Sequence, residues 1–263
     1  MEHRWQESIK LPVFADPSVV PDPDVLLDLL KRSHEVCIRD ACLLHQGEIH
    51  CCLSGGLDSS LSLAIVRQLM PREVICTYTI GASPQHQDVV FAKRVAQHYN
   101  TRHSVIIPTE ESIERARYQL VRTTGEAGLG SAGVYLFYEW LSRHGVRAVL
   151  AHDGIDELMG GYWLHRANEA AMPNVFRHYW QRLVPDHLEP LERKAASFGI
   201  SVLLPYLDPH VVSYISHIPL ECRTSRGESK KPLRVLARRL GVPEEIIQRR
   251  KYGFCDALNQ ELE

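Results

Sequence analysis

Cys51-Cys52-Leu53-Ser54-Gly55-Gly56-Leu57-Asp58-Ser59-Ser60 joins an apolar run, Ile49 to Leu53, to a second, periodic apolar segment, Leu61 to Leu69. This order spells strand, tight glycine turn, helix. Adjacent glycines let successive N–H groups converge, and the hydroxyls of Ser54, Ser59 and Ser60 add donors beside a helix N-terminus. The product is an anion cradle. No lysine follows the glycines, so it departs from the G-x-x-x-x-G-K-[ST] loop. Asp58 would repel phosphates unless a cation stood between them, which points to Mg²⁺.

Working outward, Val74 to Ile80 is short and β-branched, a second strand ending at Gly81-Ala82-Ser83-Pro84. Gln87 to Tyr99 reads as a helix with Val90, Phe91, Val95 and Ala96 inward, and His103 to Ile107 as a third strand stopped by Pro108. Thr109-Glu110-Glu111-Ser112 opens a further helix. Another, Ala132 to His144, leads into a fourth strand over Val146 to Ala151. On the N-terminal side, Asp24 is placed to cap a helix reaching about Leu44. Residues 1–24, with Pro12, Pro17, Pro21 and Pro23, are expected to form an extended arm or partly disordered leader. Beyond residue 155 strand signals are sparse and Ile155 to Lys194 looks mostly helical. The expected class is α/β: a doubly wound parallel sheet of about five strands in a nucleotide domain at 25–155, with a helical C-terminal part at 156–263.

The 263 residues, 44% of them hydrophobic, suffice for a well-buried core. With 30 basic and 32 acidic side chains, the net charge of −2 gives no indication of a nucleic-acid surface. No apolar run approaches the roughly 18 residues of a membrane helix, and the N-terminus lacks a signal-peptide core, so a soluble cytoplasmic protein is expected. The seven cysteines include no C-x-x-C pair and read as buried reduced thiols.

A second loop follows the fourth strand: Ala151-His152-Asp153-Gly154-Ile155-Asp156-Glu157-Leu158-Met159-Gly160-Gly161-Tyr162. Open α/β sheets bind ligands at the carboxyl ends of strands, where strand order reverses. If strands 1 and 4 are neighbours there, Asp58 and Asp156 face one Mg²⁺, with nucleotide phosphates completing its shell. The plainer reading of Asp156 and Glu157 is a pair of acids complementing a helix N-terminus.

Ser54-Gly55-Gly56-Leu57-Asp58-Ser59-Ser60 resembles the pyrophosphatase loop of the ATP-pyrophosphatase enzymes, whose fold is adenine nucleotide alpha-hydrolase-like. The second loop is similar to a signature of the asparagine synthetase B family, Ser-Gly-Glu-Gly-x-Asp-Glu-x-x-Gly-Gly-Tyr. Leu204-Pro205-Tyr206-Leu207-Asp208, Lys230-Lys231-Pro232-Leu233-Arg234 and Arg250-Lys251-Tyr252-Gly253-Phe254 extend the likeness to about 25–256. The resemblance implies that Ser54, Gly55, Gly56, Ser59, Ser60 and Gly154 contribute to the ATP site. Asp58 and Asp156 would hold Mg²⁺, and backbone groups from Thr77 to Gly81, Thr79 among them, would meet adenine and ribose. Lys251 would reach over the α-phosphate and Lys230 would act beside it, although basic residues at a helix end are also ordinary solvated charges. The implied reaction is adenylation of a carboxylate with release of pyrophosphate, then transfer of the acyl group to ammonia or an amine.

Two departures stand out. No room precedes residue 25 for the family's N-terminal glutaminase domain. Nitrogen is therefore expected as free ammonia, as a substrate amine, or from a separate glutaminase or other subunit. Asp153 stands where the family has the Glu thought to position or deprotonate the nucleophile, one methylene shorter, with His152 beside it as a structural residue or an assisting base. The glycine-rich stretch 125–133 differs from the family's aspartate-facing segment, which leaves the carboxylate open between small molecules and peptides. Two alternatives remain: a non-catalytic nucleotide-binding subunit, and a tRNA-modifying adenylating enzyme. Oligomeric state is also open.

Overall fold

In the computed structural model, which describes residues 5–15, 20–45, 47–249 and 258, the sheet order is β3-β2-β1-β4-β5. The strands are β1 (Ile49–Cys52), β2 (Ile75–Ile80), β3 (Arg102–Ile106), β4 (Ala148–Leu150) and β5 (Ser201–Leu203). Every neighbouring pair is parallel. The apolar runs form these strands because helices cover both faces, and all six residues of β2 are buried. The chain winds outward from β1 through β2 to β3, then returns to the other side of β1 with β4. Strand order thus reverses between β1 and β4, which meets the condition on which Asp58 and Asp156 could face each other. Cys51 pairs with Leu150, so Ser54 and Asp153, each three residues further on, leave the sheet side by side.

Helices α1 (Trp5–Ser8) and α2 (Pro23–His45) precede the sheet, α3 (Leu57–Leu69) joins β1 to β2, and α4 (Gln87–His98) joins β2 to β3. A hairpin of α5 (Glu110–Thr124) and α6 (Leu129–Arg143), clasped by the Arg115–Glu139 ion pair, leads to β4. After β4 come α7 (Ile155–Met159), α8 (Leu164–Ala167), α9 (Met172–Leu183), a π-helical turn (Val184–Leu188) and α10 (Glu189–Ser197), which returns to β5. The remaining helices are α11 (Pro209–Ser216), α12 (Leu220–Arg223), α13 (Lys231–Arg239) and α14 (Glu244–Gln248). None of the described helices is long and apolar enough to cross a membrane.

Four details differ from the sequence expectation. β5 lies beyond residue 155, so the sheet itself crosses the expected domain boundary. Helix α2 is capped by Asp22, whose Oδ1 accepts the Asp24 N–H at 2.8 Å, because Pro23 occupies the first helical position, where no N–H is needed. Asp24 instead pairs with Arg239 at 2.6 Å. Helix α6 begins at Leu129 and takes Gly130, Ser131 and Gly133 into its first turns. Residues 5–15 are no extended arm: Trp5 and Val13 are buried, Ser8 Oγ donates to the Leu207 carbonyl, and the Ala15 N–H donates to the Ser216 carbonyl at 2.7 Å.

Candidate active site

Ser54 to Gly56 turn away from β1 over the backbone of α4. Gly55 has φ +67°, and a Cβ there would lie 2.4 Å from the Ala92 nitrogen, so only glycine fits. Ser59 Oγ lies 3.1 Å from Ser54 Oγ and 3.3 Å from the Ser54 nitrogen, fixing the turn from within. Ser60 Oγ and Asp58 Oδ1 are buried with no hydrogen-bond partner among the described residues. Tyr206 O–H donates to the Asp58 carbonyl at 2.9 Å and pins the first turn of α3 to the C-terminal half.

Asp156, on the first turn of α7, comes from the neighbouring strand end. Gly154 precedes it at φ +87°, tight against Leu207. A third group enters from the residue that caps α13: Lys230 Nζ lies 2.5 Å from Asp58 Oδ2 and 2.7 Å from Asp156 Oδ1. Burial works against that ammonium, but the two carboxylates outweigh it and hold its pKa above the ordinary lysine value. Gly161 seals the arrangement, since a Cβ there would fall 1.6 Å from Asp156 Oδ1. Glu157, next along α7, is buried and accepts from Tyr162 O–H at 2.8 Å. Burial and the Asp156 charge raise its pKa.

Beside this triad opens a cavity of about 320 Å³ lined by Ser54, Gly56, Asp58, Lys230 and three arginines, 166, 234 and 249. Sequence reasoning gave Arg166 no role, and no motif marks it, yet its Nε is buried without an acceptor among the described residues. Arg249 donates to the Ser54 carbonyl at 3.0 Å, pairs with the buried Asp88, and stacks over Phe91 at 4.6 Å. Four cations against two acids, Asp58 and Glu228, line the cavity, a balance that suits a polyphosphate. Mg²⁺ fits the two acids: it takes one or two protein carboxylates plus phosphate oxygens, and Asp58 Oδ1 has no other partner among the described residues. No cluster of three or more metal-ligand side chains occurs among the described residues, so the remaining ligands would come from phosphate and water.

Not all expected site residues line the cavity. Gly55, Ser59 and Ser60 are not among the lining residues, and Gly154 sets the start of α7. Thr79 is buried in β2, and its hydroxyl donates to the Leu53 carbonyl, which leaves only backbone groups there for a ligand. Lys251 lies outside the described residues. Asp153 stands apart, with Oδ1 2.6 Å from Nε2 of His187 on the π-helical turn. Burial works to raise the Asp153 pKa, but the His187 hydrogen bond and charge, with His152 nearby, keep it below the usual carboxylate value. Burial pushes His152 down to about 3 against the pull of Asp153. It is therefore neutral at physiological pH.

The family model described as Asparagine synthase matches residues 38–179 and 167–263. The glutamine-hydrolyzing asparagine synthetase of Gallus gallus is 31% identical over 238 residues, which are 85% of this chain and 42% of that protein. The corresponding Homo sapiens protein is 29% identical over 253 residues, 90% of this chain and 45% of that one. The chain thus spans less than half the length of these curated relatives. Among solved structures, an NMN synthetase from Francisella tularensis superposes with a TM-score of 0.46 at 16% identity, covering 88% of this chain and 75% of its own.

Proposed function

We propose, from the premise that this chain belongs to the asparagine synthase family, that it is an ATP-dependent ligase joining a carboxylate to ammonia or an amine through an acyl-adenylate. The observation that carries this reading is the convergence of Asp58 and Asp156, from adjacent strand ends, on the Lys230 ammonium at the edge of a cationic cavity. Mg²⁺ held by Asp58 and Asp156 would neutralise phosphate charge.

The chain's own groups account for the rest. N–H groups of the 54–56 turn and the hydroxyl of Ser54 orient the pyrophosphate end of ATP. Arg166, Arg234 and Lys230 offset the charge that builds as a carboxylate oxygen attacks the α-phosphate and pyrophosphate departs, a preorganised electrostatic role. Adenylation is needed because a carboxylate is a poor electrophile, and AMP converts its oxygen into a leaving group. Enclosure then protects the intermediate from water.

The test is pyrophosphate and AMP release from Mg·ATP, screened over amino-acid and peptide carboxylates with and without ammonium. Release that depends on the acid, and is lost in Asp58→Ala and Asp156→Ala, is the expected result. ADP and phosphate as products, or full activity in Asp58→Ala, would overturn it.

A further inference from the structure

We infer that the outer edge of β5 is a docking site for a short extended peptide segment carrying lysine or arginine, which adds to the sheet as a further strand. Three observations carry this. β5 ends the sheet, with β4 its one neighbour among the described residues. The Ser201 N–H donates to the Arg147 carbonyl and the Leu203 carbonyl accepts from the Ala151 N–H, so both residues turn their backbone groups toward β4. Strand alternation then turns the N–H and C=O of Val202 to the open side. Neither meets a partner among the described residues, although Val202 is only 8% exposed. Finally, that edge borders a cavity of about 770 Å³ walled by α2 and α10, and none of its lining residues borders the phosphate cavity.

Buried backbone donors and acceptors are almost always paired, and an edge strand that leaves them open is a template for another chain. In recognition by strand addition, main-chain hydrogen bonds supply affinity and alternate side chains supply specificity. Here the walls set the charge of the occupant. Asp40 on α2, Glu189 and Glu192 on α10, and Asp208 at the cap of α11 line the cavity against one cation, Arg193. Asp40 and Glu189 stand in no ion pair among the described residues. Acids stand on both walls, so cationic side chains that alternate along an added strand meet a carboxylate on whichever wall they face. Trp5, held by a bond from its indole N–H to Glu192, adds apolar surface for the aliphatic stems of those side chains.

The probe is a fluorescein-labelled peptide, Lys-Val-Arg-Val-Lys-Val, titrated with the full chain and followed by anisotropy. Two controls accompany it: the same sequence with glutamate for each cation, and the basic sequence N-methylated at every residue. The basic peptide is expected to bind, the acidic one to bind at least about tenfold more weakly, and the N-methylated one not to bind, because it cannot donate to the edge. Asp40→Lys combined with Glu189→Lys is expected to weaken the basic peptide about tenfold. Val202→Pro removes the outward N–H while leaving the ladder to β4 intact, and a loss of similar size is expected. If that variant fails to fold, the charge reversal and the N-methylated peptide still decide the matter. Equal affinity for either control peptide, or undiminished binding in the charge-reversed variant, overturns the proposal. So does no binding of the basic peptide, which would mark the acids as protection of an edge that stays unpaired. A dimer in sedimentation equilibrium that Val202→Pro dissolves overturns it too, by putting a second copy of the chain on the edge. The titration contains no ATP, so its outcome is independent of the ligase reading.

Discussion

Lys230 is 3% exposed and holds a left-handed backbone at φ 55°, a conformation that costs a non-glycine residue roughly 1–2 kcal/mol. The strain is offset because its ammonium is the internal counterion of two carboxylates that would otherwise face each other in a cleft. In the proposed reaction it is also a cation that would turn toward phosphate once Mg²⁺ took its place between the acids. Lys230→Met should abolish pyrophosphate release and, in Mg²⁺-free buffer, lower the unfolding free energy by about 3 kcal/mol, because one partner of a buried ion network is removed. Urea unfolding checks this directly. Added MgCl₂ should restore part of the lost stability in the variant and change the wild type little. No recovery in the variant would mean that Asp58 and Asp156 do not hold the ion together. Asp58 and Asp156 were both legible in the sequence, since each lies in a local glycine-rich pattern behind an apolar strand. Their bridging by Lys230 was not, because nothing local to residues 228–234 reveals which carboxylates lie opposite.

Helix α2 packs on α3 through His34, which is fully buried. Its Nδ1–H donates to the Leu30 carbonyl at 2.7 Å, leaving Nε2 to accept from Ser62 Oγ at 2.8 Å. Burial drives its pKa down to about 4, partly opposed by the Leu30 hydrogen bond, and burial holds His103 and His165 near 4 as well. Each folded value lies below the ordinary 6.5, so the unfolded chain binds more protons in between. The stability these residues supply is complete above pH 6.5 and lost as pH falls toward 4. For His34 alone the loss at pH 5 is about 2 kcal/mol. Urea midpoints at pH 7.5 and 5.0 should fall accordingly, and His34→Asn should flatten the dependence. An unchanged slope in that variant would remove His34 from the account. At this scale four of the sheet strands were readable from apolar runs and their spacing, but β5 was not: Ser201–Leu203 follows a long helical stretch without a strand signal of its own, and pairing with β4 makes it a strand.

Across the molecule, residues 5–15 and the C-terminal half are tied together by Arg223. It is fully buried and donates to the carbonyls of Val13 (2.7 Å), Ile218 (2.8 Å), Leu158 and Ser216 (both 3.0 Å). Trp180 adds a bond from its indole N–H to the Leu11 carbonyl at 3.0 Å. Deleting residues 1–15 strips acceptors from two buried or half-buried donors at roughly 1–3 kcal/mol each. It should therefore lower the urea-unfolding free energy by about 3 kcal/mol. A truncated protein with the wild-type midpoint would show that this layer is not integral to the fold.

The sequence by itself determined the strand, turn and helix at 49–69 and the alternation of strands and helices that marks a parallel α/β sheet. Those features rest on backbone and periodicity effects acting within a dozen residues. Only the tertiary structure decided that residues 5–15 form a packed layer, that Lys230 bridges Asp58 and Asp156, that Arg166 borders the cavity, and that His187 meets Asp153 across 34 residues of chain. Each of these is a contact between side chains distant in sequence, and composition and spacing carry no record of such distances until the chain has closed on itself.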